Sequence, residues 1–268
     1  MLNLIIAVLT VGGPPVLVEP GRAWTYEAEL AIGGPPVLVE PGRAWTYEGE
    51  CKAAEEADCP FAAGARREPG KLEVRYVVLP RTEQSADVNV VRTLSAAEKD
   101  QKQSQSVDVA VLKLQSNLIQ KGTERVSEAV HPASSYFDFA PIPPDYGKVL
   151  VGSKREDAVK IALPEGTFAP GRVWTAAYAE DGMLEVVCTA KDLPAAAESL
   201  PEVRLESYRE TYRVDPVTGV TQTFERTLTV RNAESEPRTV TVSLRLKQWE
   251  DLTEDQVQKE TAALAVKK

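Results

Sequence analysis

Apolar and polar residues alternate along many short stretches of this chain. The run from Leu72 to Val78 carries apolar side chains at every second position. The run from Arg238 to Leu246 sets Val and Leu against Thr and Ser in the same way, and in the run from Val220 to Val230 apolar residues alternate largely with threonines. A period of two is typical of β-strands that bury one face and expose the other. No helical run separates these stretches, so we predict antiparallel pairing.

Turn residues stand between the predicted strands. Asp215–Gly219 contains a Pro and a Gly, and Asp181-Gly182 is a two-residue hairpin sequence. Near the C-terminus, Thr253 can cap a helix whose first turn holds Glu254 and Asp255. We therefore predict an all-β fold of mostly antiparallel sheets with a short C-terminal helix.

We predict that the chain divides into two related halves. A first β half is predicted over residues 12–130 and a second over 166–250, and a Pro- and aromatic-rich linker over 131–165 joins them. Residues 251–268 are predicted to be a helical or frayed tail. Two packed sheets (a sandwich) and one long sheet curled into an open half-barrel both satisfy this pattern.

A tandem duplication lies at residues 7–48. The sequence GGPPVLVEPGRAWTYE stands at 12–27 and again at 33–48, and a worn third copy, PGRVWT, stands at 170–175. Identical strands compete for one place in a fold. Because the second copy continues into the rest of its half, we expect it to hold that place, with Trp45 and Tyr47 in the core.

The N-terminus bears on where the protein works. Residues 1–11 are uncharged and apolar, which suits either the apolar part of a signal peptide or a first β-strand, and they are too few to span a membrane as a helix. We predict an extracytoplasmic location, in the periplasm or secreted, with the cytoplasm as the alternative. The net charge of −9 argues against nucleic acid as a partner.

Three cysteines are present. Cys51 and Cys59 bracket a short polar stretch that a disulfide could close, and a free pair is the alternative. Cys188 lies in an apolar run, where a buried thiol packs well. The cysteine spacing and a single histidine do not make a metal site, so we predict no metal and no cofactor.

Candidate catalytic groups are few. His131 is the only histidine, and the sequence has no G-x-S-x-G motif that would supply a nucleophile for it to activate. We therefore assign no catalytic residue. A pair of carboxylates could hydrolyse a glycan. Glu206 and Glu210 lie on one predicted strand near Tyr208 and Tyr212, but the simpler interpretation is the solvated face of a strand.

Aromatic residues in the predicted linker are the better candidates for ligand contact. They are expected to be exposed there, and to touch a partner or lie between the halves. These residues are Tyr136, Phe137, Phe139 and Tyr146.

The segments Pro41-Gly-Arg-Ala-Trp-Thr-Tyr47 and Pro170-Gly-Arg-Val-Trp-Thr175 resemble the opening strand of uncharacterised bacterial secreted or envelope proteins that are rich in β-strands. The resemblance implies an envelope location and no known reaction. We therefore expect a non-enzymatic binding or structural module of the bacterial cell envelope, whose partner could be an envelope protein, a glycan or a lipid. The alternatives are a carboxylate-based hydrolase of envelope polysaccharide and a carrier of an apolar ligand.

Overall fold

The computed structural model describes residues 41–53, 72–80, 88–97, 105–114, 120–126, 136–143, 151–233 and 235–265. The predicted leader at 1–11 and the first repeat copy at 12–27 lie outside the described residues. Within these residues the protein is built of β-strands and one C-terminal helix, which confirms the predicted fold class.

The strands follow the alternating stretches of the sequence. In chain order the elements are β1 Arg43–Ala53, β2 Leu72–Val78, β3 Val88–Ala97, β4 Gln105–Leu114, β5 Gln120–Arg125, β6 Lys154–Ala158, β7 Ile161–Leu163, β8 Gly166–Phe168, β9 Gly171–Tyr178, β10 Leu184–Lys191, β11 Ala195–Ala196, β12 Val203–Val214, β13 Thr221–Asn232, β14 Arg238–Asp251 and α1 Glu254–Ala265.

One long antiparallel sheet holds almost all of these strands. Its order is β5-β4-β3-β2-β1-β14-β13-β12-β10-β9-β6, with β11 added beside β12, while β7 and β8 form a separate pair. The first described strand, β1, lies next to the last, β14, so the sheet joins the two ends of the described chain. Of the two expected architectures, this order matches a single long sheet.

The sheet curls around the segment Tyr136–Asp138. Gln120 on β5 donates a hydrogen bond to the Asp138 carbonyl oxygen at 2.9 Å, and Arg226 on β13 donates one to the Tyr136 carbonyl oxygen at 3.2 Å. Six strand spacings separate β5 from β13, which is about 29 Å in a flat sheet. Even fully extended, the Gln120 and Arg226 side chains and the two residues of backbone between their acceptors do not cover that distance, so the strands bend towards the segment. In the described part of the chain the edge strands β5 and β6 do not pair, and the sheet stays open.

The concave inner face holds the main core. Trp45, Tyr47 and Trp174 are almost fully buried there, as predicted for the repeated strand. The second repeat copy thus supplies a central strand, β1, which pairs with both β2 and β14.

A smaller apolar cluster lies on the outer face of the sheet. Ala44, Val77, Val91 and Val109 form it, and Leu252, just before α1, packs against it. No helix among the described residues is long and apolar enough to span a bilayer.

Helix α1 begins at the predicted cap. The Gln256 backbone N–H donates to Thr253 Oγ1 at 3.4 Å, and the Gln256 side-chain oxygen accepts from the Thr253 N–H at 2.8 Å. This reciprocal pair satisfies two backbone donors that the helix start would otherwise leave open.

The region predicted as a linker, 131–165, has defined structure where it is described. Residues 136–143 include a short helical turn against the inner face, and β6 and β7 follow within the same range. The division of the chain into two related halves stays a prediction.

Candidate functional site

Two polar surfaces are candidates for function: a buried network on the inner face and an open groove on the outer face. The network is centred on Glu210 of β12 and Arg226 of β13, which lie directly opposite each other in the sheet. Both occupy positions in otherwise apolar rows of their strands, and both are buried.

Glu210 accepts hydrogen bonds from three side chains. Arg226 donates from Nη2 at 2.5 Å and from Nε at 2.9 Å, and the hydroxyls of Tyr208 and Tyr212 donate at 2.6 and 2.8 Å. Both carboxylate oxygens are therefore engaged. The Arg226 guanidinium also lies 4.2 Å from the ring centre of Phe139, which stacks on Phe224 with ring centres 4.3 Å apart.

The electrostatics keep Glu210 ionised. Burial raises its pKa, but the charges of Arg226 and Arg172 and the Tyr208 hydrogen bond outweigh burial, and the pKa lies below its ordinary value. Burial together with the Glu210 charge raises the pKa of Tyr212 well above its ordinary value. A carboxylate held ionised by buried partners suits a structural ion pair and not a group that exchanges protons near neutral pH.

A second ion pair continues the network towards the sheet edge. Arg172 on β9 donates two hydrogen bonds to Asp157 on β6, at 2.8 and 2.9 Å, and the Trp174 indole N–H donates to the same carboxylate at 2.9 Å. Cys188 is fully buried close by, and burial, followed by the Glu210 charge, raises the pKa of its thiol well above the ordinary value. The thiol is therefore protonated and inert at neutral pH.

The interpretation of Glu210 as part of a solvated strand face is wrong. The strand carries a β-bulge between Leu205 and Ser207, after which Tyr208, Glu210 and Tyr212 all point inwards. Glu206 lies within the bulge, is partly exposed and forms an ion pair with Arg231 at 2.7 Å. The bulge thus separates two carboxylates that the plain alternation placed on one face.

The expected exposure is also wrong for three of the four aromatic residues in the Pro-rich segment. Tyr136, Phe137 and Phe139 are buried against the inner face. The Tyr136 hydroxyl donates a hydrogen bond to the Glu165 carboxylate. Asp138, between Phe137 and Phe139 in the sequence, accepts a hydrogen bond from Arg92 of β3 at 3.0 Å. An apolar segment beside a curved sheet gains more free energy by filling its concave face than by remaining in water. Tyr146 lies outside the described residues.

The cysteine prediction is untested. Cys51 is buried on β1, and Cys59 lies outside the described residues, as does His131. Among the residues that the structure describes, no three His, Cys, Asp or Glu side chains come close enough together to hold a metal ion.

The outer face carries a groove of about 440 Å³ across β12, β13, β14 and β1. Strand register builds it from two rows of side chains. One row runs Arg213, Thr223, Arg245 and Glu48, and the next runs Thr211, Glu225 and Ser243. Arg209 extends the lining along β12.

Most charged groups of this outer groove are available to a ligand. Arg213 forms an ion pair with Asp181. Arg209, Arg245 and Glu225 are exposed, and among the described residues they make no hydrogen bond or ion pair. Guanidinium donors, carboxylate acceptors and hydroxyls are therefore presented side by side on a rigid sheet.

Hydroxyl groups continue the groove along the same face. The hydroxyl oxygens of Thr227 and Thr241 lie 3.2 Å apart, and those of Thr229 and Thr239 lie 2.9 Å apart. The Ser207 hydroxyl donates a hydrogen bond to the Thr229 hydroxyl oxygen at 2.8 Å. The sequence predicted these threonines as the solvated side of β13 and β14. It did not predict the groove, because the groove appears only when the register of four strands is known.

Neither a family model nor a curated protein matches this chain. Solved structures show weak likenesses. Rv2717c from M. tuberculosis aligns with 12% identity and a TM-score of 0.32 over 80% of this chain and 99% of its own. A protein from Bacteroides fragilis with a YmcC-like fold, named as a candidate exported protein, aligns with 10% identity and a TM-score of 0.28 over 78% of this chain and 97% of its own. These values are too low to transfer a function or a location to this chain.

Proposed function

We propose that this protein is a non-enzymatic binding module of the bacterial cell envelope, working outside the cytoplasm, and that its ligand binds in the outer groove. The observation that carries the proposal is the set of exposed side chains in that groove, Arg209, Arg245 and Glu225, which make no hydrogen bond or ion pair within the described residues. Charged side chains at the centre of a rigid sheet are well placed to recognise a polar ligand, because little of their scaffold must be ordered on binding.

The inner face supports the non-enzymatic part of the proposal. Its buried carboxylates are committed to ion pairs, Glu210 with Arg226 and Asp157 with Arg172. Both carboxylates are buried and bound to arginines, an arrangement that suits a structural ion pair better than general acid–base catalysis.

The apolar, uncharged residues 1–11 and the β-rich architecture of the described residues support the location outside the cytoplasm. A protease-protection experiment tests this location. Protease is added to bacterial cells whose outer membrane alone has been permeabilised. Digestion of the protein together with a periplasmic marker is expected. Protection alongside a cytoplasmic marker contradicts an extracytoplasmic location.

Filling the groove tests where the ligand binds. Thr223→Trp places a large side chain between Arg213 and Arg245, while Ala177→Trp places the same ring on the exposed face of β9, outside the groove. Both variants and the wild type are screened against glycan and lipid arrays. We expect a ligand that binds the wild type and Ala177→Trp equally and loses binding to Thr223→Trp. Equal binding by all three proteins contradicts the groove as the site.

The same screen separates the rival functions. Saturable lipid binding that survives Thr223→Trp favours a carrier that uses the inner face. Release of reducing ends from a bound glycan, abolished by Glu225→Gln, makes the protein a hydrolase in which Glu225 and Glu48 of the groove are the carboxylates. Binding without product release supports the module proposed here.

A further inference from the structure

The arrangement of charges in the outer groove restricts the shape of its ligand. Arg209 lies four residues from Arg213 along β12, and Arg245 lies two strands away from Arg213 in the same row. With about 3.4 Å per residue along a strand and about 4.8 Å between strands, the Cα atoms of Arg209 and Arg245 are roughly 17 Å apart. An extended chain with repeated acidic groups can pair with both arginines while it lies along the sheet between them.

The remaining lining restricts the chemistry. Thr211, Thr223 and Ser243 between the arginines can donate and accept hydrogen bonds, and Glu48 and Glu225 can only accept them when ionised. A ligand that satisfies all of these groups carries hydroxyl donors as well as anionic acceptors.

The hydroxyl rows extend the surface beyond the groove. From Thr223 to Thr229 on β13 the outward-facing side chains cover about 20 Å at the usual rise of a strand. A surface of that length can contact several linked sugar rings at once, whereas a single ring would cover only part of it.

Building on the proposed function, we infer that the groove ligand is an acidic polysaccharide, bound as an extended chain. Arg209 and Arg245 bind carboxylate groups on separate sugars, because a guanidinium pairs with a carboxylate through two parallel hydrogen bonds. Glu225, Glu48 and the Thr and Ser rows accept and donate hydrogen bonds to the sugar hydroxyls between them.

Isothermal titration with chosen polymers tests the ligand class. Polygalacturonate carries carboxylates and hydroxyls, dextran carries hydroxyls without carboxylates, and polyglutamate carries carboxylates without hydroxyls. The full-length protein is expected to bind polygalacturonate, with an affinity that falls as salt rises, and to bind the other two polymers at least about 10-fold more weakly, since each lacks one class of partner.

Matched charge variants test the two arginines. Arg209→Gln with Arg245→Gln is expected to weaken polygalacturonate binding by about 10-fold or more, the loss of charge-assisted hydrogen bonds. Lys154→Gln with Lys160→Gln removes the same charge from exposed positions outside the groove and is expected to change affinity less than about 2-fold, as for screened surface charges. Circular dichroism of both variants confirms that the sheet is retained.

The outcomes distinguish the two proposals. Equal affinity for dextran or for polyglutamate, or an unchanged affinity of the arginine variant, overturns the acidic polysaccharide. If Thr223→Trp still abolishes binding of that other ligand, the groove remains the binding site. If no polymer, glycan or lipid vesicle binds in a way that Thr223→Trp abolishes, both proposals fail.

Discussion

Charged residues at inward positions of the strands distinguish this core from a purely apolar one. Glu210, Arg226, Arg172 and Arg92 each lie in a row of buried apolar side chains. A buried charge is tolerated only when a partner compensates it, and each of these has an opposite charge within 3.0 Å. Removing one partner therefore costs more than the pair itself contributes.

Glu210→Gln should be strongly destabilising. The amide keeps the size and some hydrogen bonding of the carboxylate but leaves the buried Arg226 charge uncompensated. We expect a loss of about 3–5 kcal/mol in the free energy of unfolding, measured by urea denaturation. Glu206→Gln, which removes a partly exposed carboxylate from the same strand, should cost less than about 1 kcal/mol. Similar losses for both variants would contradict the buried role of Glu210.

The pH dependence of stability should reveal the same group. The pKa of Glu210 is lower in the folded protein than its ordinary value. A lowered pKa contributes stability that is fully present above the unfolded-state value, about 4.3 for Glu, and is lost as pH falls through the folded-state value. The difference in unfolding free energy between wild type and Glu210→Gln should be constant near neutral pH and shrink below about pH 4.3. A difference that grows on acidification would show that the pKa is raised.

At the scale of elements, the sequence predicts strands well and their environment poorly. The hairpin of β12 and β13 forms around Asp215–Gly219, and that of β9 and β10 around Asp181-Gly182, because alternation and turn chemistry are local properties. The direct pairing of Glu210 with Arg226 depends on register and a bulge. The sequence signal for that pairing was the position of each charge, since Glu210 and Arg226 both interrupt an otherwise apolar row of their strand. The segment at 136–143 has a linker-like composition, and only the curvature of the sheet makes it part of the core.

Glycine 49 offers a reason why the second repeat copy, and not the first, supplies β1. A Cβ atom at Gly49 would lie 2.1 Å from the Ser243 carbonyl oxygen and 2.7 Å from the Leu244 side chain. Through the sixteen identical residues the two copies offer the same side chains, but the next residue is Ala28 after the first copy and Gly49 after the second. If the first copy took the same place, the alanine methyl group would collide with β14.

Gly49→Ala should therefore destabilise the protein. The added methyl group would meet the Ser243 backbone carbonyl oxygen, so the strand must shift. We expect the free energy of unfolding, measured by chemical denaturation, to fall by about 1–3 kcal/mol or more. Glu48→Ala, at the neighbouring exposed position of β1, should cost less than about 0.5 kcal/mol. A Gly49→Ala variant as stable as the wild type would remove this explanation of copy choice.

At the scale of the whole molecule, the duplicated segment should be dispensable for the fold. Deleting residues 12–32 removes one repeat unit and leaves β1 with its described partners, β2 and β14. We expect the free energy of unfolding to change by no more than about 1–2 kcal/mol, within the range of ordinary single substitutions. A deletion variant that fails to fold would show that the first copy belongs to the core.

We assign stability to the inner face of the curled sheet and propose that binding occurs in the groove on its outer face. Ligand-induced stabilisation in thermal unfolding tests this division most directly, because a ligand that binds the folded state alone raises its stability by about 2.7 kcal/mol at 100 times its dissociation constant. With polygalacturonate, the wild type and Ala177→Trp should unfold several degrees higher than without it. Thr223→Trp should unfold at nearly the wild-type temperature without ligand and show no rise with it. A full rise in Thr223→Trp would contradict the outer groove as the binding site.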